Sequence, residues 1–84
     1  MDKKKISIIG GAGHVGFPLG LSFAMKGYKV NLLDLNTKNL KKIKSGNPPF
    51  MEKGAKSALN LCIKKKLLEF SNNIFSIKNT KYII

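Results

Sequence analysis

The chain alternates between near-continuous apolar runs and segments in which apolar residues recur every three or four positions. Runs of the first kind are typical of strands buried in a parallel sheet, and the second spacing indicates one apolar face of a helix. The order of these segments predicts an α/β protein with a parallel sheet. The pattern predicts strands over 4–9, 29–34, 68–71 and from 82 onward, helices over 14–26 and 55–66, a shorter helix between 36 and 46, and a helical turn over 73–77.

Helix ends are marked by residues that suit them chemically. Gly27 is expected to end the first helix in a left-handed conformation, which glycine adopts without steric cost. Asn36 or Thr37 is expected to cap the second helix, because a side-chain oxygen there can accept a backbone N–H of the first turn. Leu40 and Ile43 then face inward.

A glycine-rich segment follows the first predicted strand directly. Gly11, Gly13 and Gly16 satisfy the spacing G-x-G-x-x-G between a strand and a helix, which is the fingerprint of dinucleotide binding. Gly11 is expected to adopt backbone angles that a side chain forbids, and Gly13 to let a pyrophosphate approach the main chain. Gly16 and Gly20 are expected to let the helix pack closely against the sheet.

Two further features of this segment point to NAD. The unpaired backbone N–H groups of the helix's first turn, together with the helix dipole, favour an anion. Asp34 closes the second apolar run, where a carboxylate can accept hydrogen bonds from the adenosine ribose and repel a 2′-phosphate. NAD is therefore favoured over NADP, although Lys38 is near enough in sequence to keep NADP open. A glycine turn that binds no nucleotide is the alternative.

Size and charge limit the remaining possibilities. Eighty-four residues make at most one small domain. The net charge is +12, and all sixteen basic residues are lysines. Sequence-specific readout of nucleic acids relies heavily on arginine and aromatic residues, and the chain has neither arginine nor tryptophan. We therefore expect solvated lysine-rich helix faces and no specific nucleic-acid partner.

The cysteine content and the N-terminal segment argue against disulfide-bonded, metal-binding, secreted and membrane-spanning proteins. Cys62 is the single cysteine, so the chain has no internal disulfide and no cysteine cluster for a metal. It lies on the apolar face of the third predicted helix and is expected to be a small buried hydrophobe. Lysines 3–5 and the uncharged stretch 6–25 resemble a signal peptide or a membrane span. The glycine spacing explains that stretch better, so we expect a soluble, cytoplasmic protein.

Beyond the glycine motif, the chain resembles the amino-terminal domain of the nucleotide-sugar 6-dehydrogenases, which include the UDP-glucose, GDP-mannose and UDP-N-acetylhexosamine dehydrogenases. The loop Pro-Phe-x-Glu-x-Gly is the most selective part, because the glycine motif is shared widely. The matching stretches are 8–19, 33–36, 43–50, 52–54 and 76–84.

This resemblance implies the amino-terminal part of a Rossmann doubly wound parallel sheet, truncated in the fourth strand. Residues 1–84 would form a partial NAD-binding domain, and the family's other domains, its dimerising helix and its sugar-nucleotide site would lie in absent sequence. The implied reaction is a two-step, NAD-dependent oxidation of the sugar C6 alcohol to a carboxylate, by a full-length homodimer. The fragment alone is expected to bind NAD weakly and not to turn over.

The resemblance assigns cofactor contacts to a few residues and no catalytic or metal-binding role to any. The implied contacts are Gly11, Ala12, Gly13, His14, Val15, Gly16 and Asp34. The family's catalytic cysteine lies in a glycine-rich segment far downstream, which the surroundings of Cys62 do not match. Glu52 is expected to be a solvated loop or helix-start carboxylate, and Phe50 a packing residue.

Two other functions stay open at the level of sequence. Gly10, Gly13 and Gly16 also fit the G-x-x-G-x-x-G spacing of extended short-chain epimerases and dehydratases that act on nucleotide-sugars. That class usually has a threonine where this chain has Ile9, and it lacks the Pro-Phe-x-Glu-x-Gly loop. A basic, non-catalytic module that binds nucleic acid through its lysines is the third possibility.

Overall fold

The computed structural model describes residues 5–50 and 53–84. Its element order agrees with the pattern of the sequence, and most boundaries agree within two residues. The elements are β1 (Lys5–Ile9), α1 (Gly16–Met25), β2 (Lys29–Leu33), α2 (Thr37–Lys44), α3 (Ala55–Lys64), β3 (Leu68–Ser71), a 3₁₀ helix (Ile74–Asn79) and β4 (Tyr82–Ile83).

The four strands form one parallel sheet in the order β3-β2-β1-β4. Strand β1 pairs with β2 from Lys5↔Lys29 to Ile9↔Leu33, and β2 pairs with β3 from Val30↔Leu68 to Leu33↔Ser71. The chain therefore steps outward from β1 to β3 and then crosses back to place β4 on the other side of β1. This reversal is the topological switch point of a doubly wound sheet, where such folds bind ligands. The predicted Rossmann sheet is confirmed.

Helix α1 begins two residues later than the pattern predicts, at Gly16 instead of His14, because residues 14 and 15 still belong to the glycine turn. Helix α2 begins as predicted, and the Asn36 side chain accepts the N–H of Asn39 at 3.0 Å. Helix α3 ends at Lys64 instead of Lys66. The reason is that Lys66 adopts a positive φ of 59°, which ends the helix.

One apolar core lies between the helices and one face of the sheet. Ile8, Val30 and Leu32 project from the strands towards Gly20 of α1, and their exposed fractions are 1% or less. Helices α2 and α3 complete this core through Leu40, Ile43, Leu59 and Cys62. Both inward-facing predictions for α2 are therefore confirmed.

The other face of the sheet carries a polar cluster that the sequence pattern does not predict. Ser7 and Asn31 are almost completely buried there. The Asn31 amide donates to the Ser76 hydroxyl at 2.8 Å and to the Ser7 hydroxyl at 3.2 Å, and Ser7 is 2.7 Å from the Thr80 hydroxyl. These bonds attach the 3₁₀ helix to the sheet.

Candidate cofactor site

The turn after β1 is closed by the backbone of Gly10. Gly10 has a φ of +76°, and its carbonyl oxygen accepts the N–H of Gly13 at 3.0 Å. A single oxygen, that of Leu33, accepts the N–H groups of both Gly10 and Gly11, at 2.8 and 3.0 Å. The left-handed conformation expected at Gly11 therefore belongs to Gly10, and that expectation was wrong. The turn is tied to β2 as well as to β1.

Gly11 and Gly16 are required for space. A Cβ on Gly11 would lie 2.8 Å from the Cα of Leu32, which is backbone and cannot move aside. A Cβ on Gly16 would overlap the carbonyl oxygen of Gly10 and lie 2.7 Å from its carbon. Gly16 thus brings α1 against the turn itself. The close approach of α1 to the strands occurs at Gly20, as predicted, where a Cβ would lie 2.6 Å from a Leu32 methyl carbon.

The amides of His14, Val15 and Gly16 lie at the start of α1. Among the described residues none of the three has a hydrogen-bond acceptor, whereas the next amide, that of Phe17, donates to the Gly13 carbonyl at 3.0 Å. His14 and Val15 are solvent-exposed, Val15 to 79%. Unpaired amides at the positive end of a helix dipole form an anion-binding arrangement.

The Asp34 carboxylate lies beside this turn, just past the end of β2. Its Oδ2 accepts the Ala12 N–H at 2.9 Å, and its Oδ1 accepts the Asn36 N–H at 2.9 Å. Two backbone amides from different segments therefore fix the carboxylate against the glycine turn. Each oxygen keeps a further lone pair, since a carboxylate has about four acceptor sites.

A crevice of about 390 Å³ opens beside Asp34 at the carboxyl ends of the strands. Its lining is mostly apolar, and Leu35 at its edge is 88% exposed. The lining residues are Ile9, Gly10, Leu33, Asp34, Leu35, Asn72 and Ile74. An apolar cleft next to a carboxylate and a set of free amides matches a flat heterocycle attached to a sugar and an anion.

The loop before α3 also reaches the glycine turn. The Phe50 ring stacks on the His14 ring, with 3.8 Å between ring centroids and 20° between ring planes. Phe50 is partly buried and packs on the apolar core. Its predicted packing role is confirmed, and the contact with His14 is additional. The loop residue Glu52 lies outside the described residues.

Cys62 is a buried residue that does not line this crevice. It is 1% exposed, and its Sγ lies 3.6 Å from the Met25 sulfur. Burial raises the pKa of the Cys62 thiol, and the charge of Lys65 offsets only part of that increase. A protonated, enclosed thiol is a poor nucleophile, which agrees with the sequence-based expectation of a small buried hydrophobe.

Two other classes of site are absent from residues 5–50 and 53–84. No group of three or more histidine, cysteine, aspartate or glutamate side chains is placed to hold a metal ion in that part of the chain. No helix there has the length and apolar content needed to cross a membrane.

The structure brings together every residue that the sequence named for this site, but not in equal roles. His14, Val15 and Gly16 present free amides, Gly11 and Gly16 make room, and Asp34 faces the turn. Ala12 differs, because its amide is bonded to Asp34.

The crevice residues beyond β2 were missed by sequence reasoning. Asn72 and Ile74 follow β3, which lies two strands away from β1. Only the strand order shows that the end of β3 faces the same crevice, and no local sequence signal indicates it.

Comparison with known proteins agrees with this geometry. Residues 4–84 match the family model for the UDP-glucose/GDP-mannose dehydrogenase family, NAD binding domain. No curated protein sequence matches the chain.

Solved structures of similar fold come from the same group of enzymes. A UDP-glucose dehydrogenase from the archaeon Pyrobaculum islandicum is 25% identical, with a TM-score of 0.87 over 95% of this chain. A UDP-D-ManNAc dehydrogenase from Pyrococcus horikoshii is 26% identical, with a TM-score of 0.86 over 95%. GDP-mannose dehydrogenase from Pseudomonas aeruginosa, at 22% identity and a TM-score of 0.85 over 94%, shares the fold.

The chain spans only 18% and 19% of the lengths of the two archaeal enzymes. The family match nevertheless covers almost the whole of this sequence, and it selects the dehydrogenase prediction over the short-chain epimerase and the basic binding module. The chain therefore belongs to the UDP-glucose/GDP-mannose dehydrogenase family, and residues 4–84 correspond to that family's NAD-binding domain.

Proposed function

We propose that the crevice at the strand ends holds the ADP half of NAD. In this proposal the chain is the amino-terminal, cofactor-binding piece of an enzyme that oxidises the C6 alcohol of a nucleotide-sugar to the uronic acid. The observation that carries it is the set of three acceptor-free amides, at His14, Val15 and Gly16, next to the fixed carboxylate of Asp34. The named relatives act on UDP-glucose, UDP-D-ManNAc and GDP-mannose, and the proposal takes the substrate to be of that class.

The pyrophosphate is assigned to the three free amides. Gly11, Gly13 and Gly16 place no side chain at this part of the main chain. Inside the turn there is also little space, because a Cβ at Gly13 would lie 3.2 Å from the Gly10 oxygen. Amides held by the fold need no rearrangement to meet an anion, and the dipole of α1 adds to their attraction.

The adenosine ribose is assigned to Asp34. The Ala12 and Asn36 amides hold both carboxylate oxygens in place, and the remaining lone pairs can accept the 2′- and 3′-hydroxyls. Ala12 therefore contributes by orienting Asp34. A 2′-phosphate would meet this negative charge, so the geometry favours NAD over NADP.

The adenine is assigned to the apolar crevice between Leu35 and Ile74. A volume of about 390 Å³ falls within the range of roughly 300–1,000 Å³ for small-molecule sites. The exposed Leu35 side chain gains most from such a contact, because its apolar surface would be removed from water on binding.

No residue of this chain is given a catalytic role. NAD supplies the hydride acceptor when bound, and the sugar site and the cysteine nucleophile of the family are assigned to sequence beyond these residues. Cys62 is enclosed, and burial raises the pKa of its thiol. The cytoplasmic location and the homodimer expected of the full-length protein remain predictions, to be checked by cell fractionation and by sedimentation.

The test is a comparison of ligands on the 84-residue chain by isothermal calorimetry and NMR titration. NAD, ADP-ribose and ADP should bind, NADP should bind more weakly, and nicotinamide mononucleotide should not bind, because it lacks the adenosine half. Tighter binding of nicotinamide mononucleotide than of ADP would contradict the assignment. Oxidation of UDP-glucose, UDP-D-ManNAc or GDP-mannose by this chain alone would overturn the expected inactivity.

A further inference from the structure

We propose that Phe50 is a positioning residue for the pyrophosphate, acting through its stack on His14. This inference rests on the proposed function, since it concerns how the same amides are held ready for the ligand. It adds a residue outside the glycine motif, from a loop 34 positions after Gly16.

His14 needs an external restraint because its peptide groups make no helical hydrogen bonds. Its amide has no acceptor among the described residues. Its carbonyl would normally accept the N–H four positions later, but that position is Pro18, which has no N–H. Exposed backbone without hydrogen bonds is the part of a fold that opens most easily.

The ring stack supplies that restraint. The rings lie 3.8 Å apart and within 20° of parallel. Phe50 also packs on the apolar core, so its ring is in contact with more than His14 alone.

The consequence is selective for the phosphate part of the ligand. Loss of the stack should loosen residues 14 and 15, whereas Asp34 and the crevice are held by other contacts, from the Ala12 and Asn36 amides. An aromatic pair contributes about 0.5–1.5 kcal/mol, which corresponds to roughly a 2- to 10-fold change in affinity.

The experiment measures binding of NAD, ADP and adenosine to the 84-residue chain and its variants by NMR titration. Phe50→Leu keeps an apolar side chain on the core and removes the ring. We expect NAD and ADP to bind roughly 2- to 10-fold more weakly, with adenosine binding unchanged. Phe50→Tyr should restore wild-type binding of all three ligands.

Two further variants isolate the stack from core stability and from imidazole chemistry. His14→Ala removes the stack from its exposed side, without touching the core, and should give the same selective loss. His14→Tyr keeps a ring without an imidazole and should recover most of the NAD affinity that His14→Ala loses. The matched control is Phe23→Leu. This substitution breaks another aromatic pair on the core, that of Phe23 with Tyr28, at the far end of α1. NAD binding should not change.

Distinct outcomes separate failure of this inference from failure of the proposed function. Equal weakening of adenosine and ADP in Phe50→Leu and His14→Ala, or no weakening of ADP in either, would overturn the positioning role while NAD binding stands. Absence of binding of NAD and ADP to the wild-type chain would overturn both.

Discussion

Gly16 is the residue at which we expect one added carbon atom to be most damaging to both stability and ligand binding. Its Cβ would overlap the Gly10 carbonyl, which is backbone and also accepts the Gly13 amide. We expect Gly16→Ala to lower the free energy of unfolding by about 1–3 kcal/mol, as overpacking does, and to abolish detectable ADP binding. Urea denaturation and NMR titration measure the two effects.

Gly27→Ala is the matched control for that substitution. Gly27 has a φ of +97°, and a Cβ added there would meet nothing within 4 Å, so the change adds backbone strain and no clash. It should lower the free energy of unfolding by about 1 kcal/mol and leave ADP binding unchanged. If Gly16→Ala bound ADP as well as Gly27→Ala does, the turn would not be the phosphate site.

Asp34→Asn should weaken both the fold and NAD binding. The amide would keep one acceptor oxygen but turn an NH₂ group towards the Ala12 or Asn36 N–H. We expect the free energy of unfolding to decrease by about 1–2 kcal/mol and NAD affinity to decrease roughly 10-fold or more.

Glu69→Gln provides the charge control for Asp34. Glu69 pairs with Lys5 at 2.8 Å on β3, but its side chain is 55% exposed. Such pairs contribute little, so stability should change by less than about 1 kcal/mol and the preference for NAD over NADP should persist. Equal loss of that preference in Glu69→Gln and in Asp34→Asn, which change the net charge by the same amount, would assign the discrimination to overall charge.

Sequence alone located the glycine turn and the neighbouring carboxylate, to which our proposal assigns the phosphates and the ribose, because each depends on residues close together in the chain. The sequence analysis assigned the positive φ to Gly11, whereas Gly10 adopts it, because the spacing of the glycines does not show which of the two has the left-handed conformation. It also missed that Asp34 binds Ala12, since that bond joins the ends of two strands.

At the scale of elements, the helix caps make a quantitative prediction. Asn36→Ala removes the acceptor for the Asn39 amide at the start of α2. Loss of an N-cap costs about 1 kcal/mol, and we expect that decrease in the free energy of unfolding. Lys38→Ala, one position into the exposed side of the same helix, should change it by less than about 0.5 kcal/mol. Equal effects of the two substitutions would contradict the capping role.

Element order could be predicted because strands and helices here have clear periodicity and glycine boundaries. The buried polar face could not, because Ser7 and Asn31 occupy positions that read as interruptions of apolar strands. Their partners, Ser76 and Thr80, come from the 3₁₀ helix and the residue after it. Only tertiary structure shows that these four side chains bond to one another, with the Asn31 Oδ1 atom left without a partner among the described residues.

At the scale of the whole molecule, we predict that titration of the Cys62 thiol lowers the free energy of unfolding at alkaline pH. Burial raises the thiol's pKa in the folded state above its unfolded value. The associated stability is therefore complete below the unfolded pKa of about 8.5 and is lost as pH rises through the folded pKa.

Denaturation curves across this pH range test the effect against Cys62→Ala, in which lysine and tyrosine titrations remain. The difference in unfolding free energy between wild type and variant should shrink as pH rises above about 8.5. A difference that is constant with pH would show that the thiol does not titrate differently in the two states.

Because the net charge is +12, the main alternative to a specific phosphate site is nonspecific attraction of any anion to lysine-rich surfaces. Nitrogen-15 NMR of the chain titrated with ADP, at low and moderate salt, distinguishes the two most directly. We predict that the largest shifts fall on the amides of His14, Val15 and Gly16, with a smaller shift at Ala12, and stay there as salt is raised. Shifts concentrated on the lysines of α2 and α3 that fade with salt, with the turn unmoved, would contradict the central claim.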